Sequence, residues 1–269
     1  MDAVTRCSKR QGGSERRVEV KFPPQHGAWA FLIVPTVMAL FLGAGNWLGW
    51  IFMLTWIGAY PFVYFASRAI VARSRRGSWT SKATREMRNA MEWSFIAVAG
   101  SVILIANRPW LVLSGAVVFL IWGLSTYLSW AGHERGITND ILLIALASAA
   151  PVLMYQVAND VRRFNDVPHA IWIASLVSLL FFVGSVLHVK ALIREAKNPL
   201  WHWGSVLFHL LAVVGLLFSS QSTWLVLPFL LALGRTILMK PGLRPGGIGI
   251  GEAVVAIALV FSVVISFGP

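Results

Sequence analysis

The feature that most constrains this chain is a series of nine apolar runs, each long enough or nearly long enough to cross a lipid bilayer. A membrane-spanning helix needs roughly 20 apolar residues, because the hydrocarbon core of a bilayer is about 30 Å thick. A chain in lipid must also satisfy its backbone polar groups internally, which favours helices. We therefore expect an all-α integral membrane protein with nine transmembrane helices. The predicted spans are residues 28–44, 48–70, 92–106, 110–131, 140–157, 169–189, 203–219, 223–239 and 248–267.

The composition excludes the other broad classes of protein. Of the 269 residues, 57% are hydrophobic and 13% are charged, whereas soluble domains carry about 25% charged residues. Disorder requires low hydrophobicity, and a single cysteine, Cys7, cannot form a disulfide scaffold. Because the connections between the runs are mostly short, neighbouring helices should be antiparallel and pack as one bundle. We predict a flexible basic cytoplasmic tail over residues 1–23 and one transmembrane domain over residues 24–269.

The distribution of positive charge predicts how the bundle is oriented. The net charge of +12 would suggest a nucleic-acid partner in a soluble protein. Here 20 of the 23 Lys and Arg residues fall on one side of the predicted bundle, together with the N-terminus. Cytoplasmic loops carry such an excess of cations. We predict a multi-pass protein of the cell membrane, with a cytoplasmic N-terminus, an external C-terminus and no nucleic-acid partner.

Two stripes of polar residues lie at the predicted cytoplasmic ends of helices. Tyr60, Tyr64 and Arg68 are spaced by four residues and therefore share one face of the second helix. Lys190 and Arg194 form a similar basic stripe at the end of the sixth helix. Arginine binds phosphate in a bidentate manner and lysine adds a point charge, so the two stripes together could form an anion site. Snorkelling to the headgroups and interaction with the helix dipole remain alternative explanations.

Other polar residues near the same face give weaker signals. His188 could approach His202, which would permit a haem between helices without requiring one, and no close His/Asp/Glu cluster indicates a metal. Asn139 and Asp140 fit the first turn of the fifth helix.

The chain has few acidic residues that could neutralise these cations within the bundle. Either Glu92 or Glu252 is placed to pair with Arg68 or Arg235. The glycine-rich segment 244–251 lacks the strand and lysine of a nucleotide-binding loop, and we predict a tight turn there.

One segment near the start of the first helix points to a family. The run Pro24-Gln25-His26-Gly27-Ala28-Trp29-Ala30-Phe31, followed by Pro35, resembles the opening signature of the YwiC-like family of bacterial integral membrane proteins. This resemblance implies a bacterial inner-membrane protein. It also marks Gln25, His26 and Trp29 as motif residues, without assigning them a role.

The architecture also resembles the UbiA prenyltransferase superfamily, whose members attach isoprenoid chains to aromatic acceptors. In that superfamily two aspartate-rich motifs, on the second and sixth helices, hold an isoprenoid diphosphate through Mg²⁺. This sequence has Tyr64–Arg68 and Lys190–Arg194 at those places. Mg²⁺ prefers carboxylate oxygens, so the sequence does not support a Mg²⁺-diphosphate cofactor.

These observations lead to two hypotheses about function. In the first, the protein binds an isoprenoid or other lipid with an anionic headgroup in a cytoplasm-facing cavity. A divergent or degenerate prenyltransferase is one form of this hypothesis. The headgroup site would then consist of Arg68, Lys190, Arg194, Tyr60, Tyr64 and His188, whose cations would replace Mg²⁺. In the second, the protein is a non-enzymatic transporter, or an accessory factor for a quinone- or haem-linked membrane system. The sequence leaves open whether the protein is an enzyme.

Overall fold

A computed structural model describes residues 22–24, 26–134, 136–219, 222–240, 242–243 and 245–268. Within these residues every regular element is helical, as predicted. The α-helices are α1 (His26–Ala39), α2 (Trp47–Arg76), α3 (Ser81–Asn107), α4 (Leu111–Trp130), α5 (Ile137–Ser148), α6 (Ala150–Asn159), α7 (His169–Ile193), α8 (Pro199–Phe218), α9 (Val226–Leu238) and α10 (Pro245–Phe267). Two short 3₁₀ turns, Phe164–Asp166 and Thr223–Leu225, precede α7 and α9.

Each of the nine predicted spans corresponds to a helical segment. Eight segments in the described part of the chain are long and apolar enough to cross a membrane, with α5 and α6 together forming one of them. The ninth, Thr223–Leu238, is apolar but shorter. Connections between the spans are short, so successive helix ends alternate between two faces. We call the face where α2, α4, α7 and α9 end, and where the next helices begin, the basic face.

Several helices extend beyond their apolar runs at the basic face. Helix α3 begins at Ser81 rather than near residue 92, because the Thr80 hydroxyl accepts a hydrogen bond from the Ala83 amide at 3.2 Å and caps the helix. Helix α2 continues to Arg76 and ends at Gly77, which adopts the left-handed conformation common after a helix. Hydropathy falls where charged residues begin, but the helical hydrogen bonds continue.

The prediction of a tight turn over residues 244–251 is wrong. Helix α10 begins at Pro245, a residue whose fixed φ angle and missing amide hydrogen suit the first helical position. The glycines that follow therefore lie in the first two turns of α10. Gly251 has a packing role there, because a Cβ atom at this position would lie 2.9 Å from Cε of Met239.

Two spans contain irregular backbone. Helix α1 changes to a π-helical segment over Leu40–Ala44, within which Gly43 has a φ of 99°. Such a φ is accessible to glycine at little cost. The fifth span is interrupted at Ala149, between α5 and α6, and Pro151 lies two residues after the interruption. Proline cannot donate the helical hydrogen bond that would bridge such an interruption.

The packing divides the protein into a dense and a loose region. The largest core lies in helices α7–α10, here called the C-terminal bundle, against which α1 packs; Phe182, Phe229 and Leu259 are fully buried in it. Helix α4 is the most loosely packed of the α-helices, since Leu111 is its only buried residue. It contacts α2 through a hydrogen-bonded group in which Ser67 bonds to Thr126 at 2.9 Å and accepts from Trp122 at 2.8 Å.

Candidate functional site

Ion pairs connect helices near the basic face. Arg68 pairs with Glu86, with Nε and Oε1 separated by 3.3 Å. Lys190 pairs with Asp140 at 2.9 Å, and Arg235 pairs with Glu252 at 2.7 Å. Each of the predicted anion-binding cations Arg68 and Lys190 thus has a carboxylate neighbour.

The predicted stripe on α2 is a continuous polar surface. Nη1 of Arg68 donates a hydrogen bond to the Tyr64 hydroxyl at 3.1 Å, and its guanidinium carbon lies 5.3 Å from the centre of the Tyr64 ring. The Tyr64 and Tyr60 rings lie 6.2 Å apart. The Arg68 side chain is 37% exposed whereas that of Glu86 is 8% exposed. The guanidinium is therefore partly accessible, while its partner is buried.

The signature residue Trp29 packs against this stripe. Its ring meets the Tyr60 ring edge-on with centroids 5.2 Å apart. Phe22 lies 6.5 Å from Trp29 and 5.4 Å from Trp93, so four aromatic rings from α1, α2, α3 and the preceding segment come together. Of the other signature residues, Gln25 lies outside the described residues. His26 begins α1, and its side chain lies outside the description.

Lys190 and Asp140 form a second, more buried site. Lys190 is 7% exposed, and Asp140 lies in the first turn of α5 as predicted. Next to it, the Asn139 amide donates to the Glu134 carbonyl oxygen at 2.9 Å. Glu134 also lies within electrostatic range of Tyr64 and Arg68. The connection between α4 and α5 therefore contacts the Lys190 site through Asn139 and carries an acidic residue near Arg68.

The remaining predicted residues occupy different places. Arg194 follows the last residue of α7 and is exposed at the basic face. His188 is fully buried in the C-terminal bundle, within electrostatic range of Arg235, His209 and His202. It belongs to a group in which the Ser185 hydroxyl donates a hydrogen bond to the Glu252 carboxylate. The predicted pairing of Glu252 with Arg235 is correct, whereas Arg68 pairs with Glu86 and not with Glu92.

A groove of about 580 Å³ lies between α4, the interrupted α5–α6 span and α7. Its walls are almost entirely apolar and include Val117, Ile121, Leu142, Leu146, Leu176 and Leu179. The few polar atoms in the walls include the buried hydroxyls of Ser148 and Ser175, which have no hydrogen-bond partner within the described residues. Phe164 and Trp172 mark the end of the groove opposite the basic face, with ring centroids 6.1 Å apart.

The groove and the basic face offer different kinds of contact. The groove presents apolar side chains, while the two positions where the UbiA-like resemblance would place aspartate-rich motifs present phenols and cations. The described residues contain no group of three or more His, Cys, Asp or Glu side chains able to hold a metal ion.

Sequence reasoning missed Glu86 and the groove, and only Glu86 leaves a signal in the sequence. Ala83, Ala90 and Ala97 recur every seven residues and are all buried, so they mark the face of α3 that packs against the protein. Glu86 lies three residues after Ala83 and four before Ala90, and therefore on that same face. A groove that depends on the spacing of three helices leaves no comparable local pattern.

Comparison with known proteins agrees with the signature at α1. The family model described as YwiC-like protein matches residues 22–155. An uncharacterized protein of Haemophilus influenzae is 26% identical over 247 residues, covering 90% of this chain and 95% of that protein. The uncharacterized protein YwiC of Bacillus subtilis is 26% identical over 202 residues, covering 70% and 74% respectively. No solved structure matches the chain significantly. This multi-spanning membrane protein belongs to the YwiC-like family.

Proposed function

We propose that this protein binds a lipid with a long hydrocarbon chain, an isoprenoid in particular, whose anionic headgroup lies at the basic face. The observation that carries this proposal is the apolar groove between α4, α5–α6 and α7. The basic face is cytoplasmic in this proposal, because most of the Lys and Arg residues that the structure describes lie near it.

The dimensions of the groove suit a chain rather than a compact ligand. Along the α5–α6 span it extends from Leu142 to Leu153, a rise of about 16 Å at 1.5 Å per residue. That is about half of the hydrocarbon thickness of a bilayer. Since lipid tails are as apolar as leucine, selectivity in the groove must come from fit rather than from burial alone. An isoprenoid has fewer freely rotating bonds per carbon than an acyl chain, so ordering it costs less entropy.

The headgroup would contact Arg68 and Arg194, which are the more accessible of the predicted cations. The Tyr64 hydroxyl holds the Arg68 guanidinium in place, and Tyr60 lies beside it. Lys190 is more buried and would attract the headgroup at longer range, with its charge partly balanced by Asp140. An anionic headgroup would join these ion pairs as a third charged group. If the protein is a divergent prenyltransferase, the same cations would stabilise a departing diphosphate.

The lipid that copurifies with the protein tests the role of the groove. Ala145 is an exposed residue of the groove wall, so the tryptophan of Ala145→Trp would fill the groove. Ala116→Trp places the same side chain on the exposed surface of α4 outside the groove. Mass spectrometry of lipid extracted from the purified protein should show one enriched long-chain species. Ala145→Trp should remove most of that species, and Ala116→Trp should retain it. Equal lipid content in both variants would contradict the proposal.

The headgroup contacts require a separate comparison. Arg68→Gln and Lys190→Gln should each lower the amount of bound anionic lipid. Arg76→Gln, an exposed position at the end of the same helix α2, is the matched control for loss of surface charge. If all three variants lose lipid equally, the cations contribute only general attraction to the membrane surface.

One observation favours a second candidate function, that of a transporter or of an accessory factor for a quinone- or haem-linked system. Ionisable residues within transmembrane helices commonly mark transport pathways, and Arg235 and Glu252 form such a pair between α9 and α10. Helix interruptions such as the one between α5 and α6 also occur in transporters. Solute uptake by reconstituted vesicles, lost on substitution of Arg235, would favour transport, while a Soret absorption band in the purified protein would indicate haem.

A further inference from the structure

We propose that the C-terminal bundle contains a binding site for a small monovalent anion, best matched by a carboxylate, formed by Arg235, His188 and Ser205. This site lies in α7, α8 and α9, apart from the groove, and the proposal does not depend on lipid binding.

His188 and Ser205 lie at one level of the bundle because α7 and α8 are antiparallel and closely packed. A Cβ atom at Gly184 would lie 2.8 Å from Nε2 of His209, so the two helices touch at this level. One helical turn towards the basic face brings His188 on α7 to the level of Ser205 on α8. Nδ1 of His209 is 2.7 Å from the Ser205 carbonyl oxygen, which fixes the orientation of the His209 ring.

Arg235 approaches the same level from α9. Its Nη1 lies 2.7 Å from Oε1 of Glu252, whose other carboxylate oxygen accepts from Ser185, one turn from His188. Arg235 also lies within electrostatic range of both His188 and His209. Measured along the helix axes, His188, Ser205 and Arg235 all lie within about 10 Å of the ends of their helices at the basic face.

Each of the three side chains presents buried polar atoms that have no hydrogen-bond partner within the described residues. These atoms are the three guanidinium nitrogens of Arg235, of which Nη1 lies against Glu252 in the ion pair, both ring nitrogens of His188 and Oγ of Ser205. The exposure is 8% for Arg235 and 0% for His188 and Ser205. Buried polar groups almost always have a partner. Nε and Nη2 form one edge of the guanidinium, and that edge matches the two oxygens of a carboxylate.

Charge and space limit the ligand to a small monovalent anion. Because Glu252 already neutralises Arg235, a bound monovalent anion gives the site a single net negative charge. A divalent anion would give the site two negative charges, which is more unfavourable where hydration is poor. At Gly184 helices α7 and α8 are in close contact, since an added Cβ atom would lie 2.8 Å from Nε2 of His209, and a small ligand suits such packing. Exposed Arg194, Lys197 and Lys240 at the basic face would raise the local concentration of anions.

Equilibrium dialysis of the purified full-length protein in detergent against radiolabelled formate tests this site. Ionic strength is held constant with sodium sulfate, whose divalent anion should not compete. We expect saturable binding of one formate per chain. Arg235→Lys keeps the charge and the pairing with Glu252 but removes the bidentate edge, and should raise the Kd about tenfold or more. Arg108→Lys, the same change in an arginine–aspartate pair near the face opposite the basic face, should leave the Kd unchanged.

A second variant keeps the test decisive if Arg235→Lys is poorly folded. Ser205→Ala removes one donor without touching the ion pair and should raise the Kd severalfold. The proposal is overturned if formate binding is absent or unsaturable, or if Arg235→Lys and Ser205→Ala bind as the unsubstituted protein does. Since Ala145→Trp should not affect formate binding, failure here is distinguishable from failure of the lipid proposal.

Discussion

The protein contains two arginine–glutamate pairs whose surroundings are opposite. In the Arg68–Glu86 pair the arginine side chain is 37% exposed and the charges are 3.3 Å apart. In the Arg235–Glu252 pair the side chains are 6% and 15% exposed and the charges are 2.7 Å apart. The first pair lies where α2 leaves the apolar region, and the second lies among the packed helices of the C-terminal bundle. The same two residue types are therefore expected to differ greatly in their effect on stability.

This difference shows that the free-energy cost of breaking an ion pair depends on whether the remaining charged side chain can be hydrated. If Glu86 loses its charge, Arg68 can still be hydrated or reach lipid headgroups. If Glu252 loses its charge, Arg235 remains in the interior without a counter-charge, and an uncompensated buried charge is very unfavourable. The following four predictions test this comparison.

The largest effect is expected for Glu252→Gln. Leaving Arg235 without its partner should lower the free energy of unfolding by about 3–5 kcal/mol. Unfolding of the purified protein in mixed micelles, followed by circular dichroism during titration with sodium dodecyl sulfate, measures this change. A loss below about 1 kcal/mol would mean that water or another group already solvates Arg235.

Gly184→Ala should have the next largest effect, because it tests the close packing of the C-terminal bundle. The added methyl group would lie 2.8 Å from Nε2 of His209 and 3.1 Å from Cε1 of Phe208. Such overpacking costs about 1–3 kcal/mol. Gly215→Ala in α8 is the control, since no atom lies within 4 Å of its added Cβ, and the same unfolding assay should show little change. Equal stability of the two variants would show that the helices separate easily.

A smaller effect is expected for Glu86→Gln, the counterpart of Glu252→Gln in the exposed pair. Glutamine retains the volume of the side chain and removes a mostly buried charge, while Arg68 stays accessible. Allowing for screening, the free energy of unfolding should change by less than about 1 kcal/mol. A loss as large as that of Glu252→Gln would remove the proposed distinction between the two pairs.

The smallest effect concerns salt. Double-mutant cycles on each pair, at low and at about 1 M sodium chloride, measure how the coupling energy responds to screening. The coupling of Arg68 with Glu86 should weaken by a few tenths of a kcal/mol, while that of Arg235 with Glu252 should stay nearly constant. Equal salt responses would indicate that both pairs are equally accessible to ions.

The number of spans was predictable because a bilayer imposes a length on every apolar run. The ends of the helices were less so, since the polar extension from Ser81 continues α3 without any apolar signal. The glycines after Pro245 suggested a turn, yet they lie within α10, whose first two turns are anchored by buried Ile248, and helix propensity alone is a weak guide.

The candidate sites were easier to predict the closer their residues lie in the sequence. The Tyr60–Tyr64–Arg68 stripe follows from spacing within one helix, and the structure brings its members into contact. The pairing of Lys190 with Asp140 joins residues 50 positions apart in the sequence, and no pattern within either helix indicates it. The groove depends on the separation of α4 from α7, a property of tertiary packing alone.

The sparse packing of α4 has a consequence for assembly. In a bilayer, inserted helices associate through packing and polar contacts, because lipid already solvates their apolar surfaces. Helix α4 buries little of its surface, so the hydrogen bonds among Ser67, Thr126 and Trp122 carry much of its specificity for α2. We therefore expect the contacts of α4 to be among the easiest in the bundle to open, and the groove wall that α4 contributes to open with them.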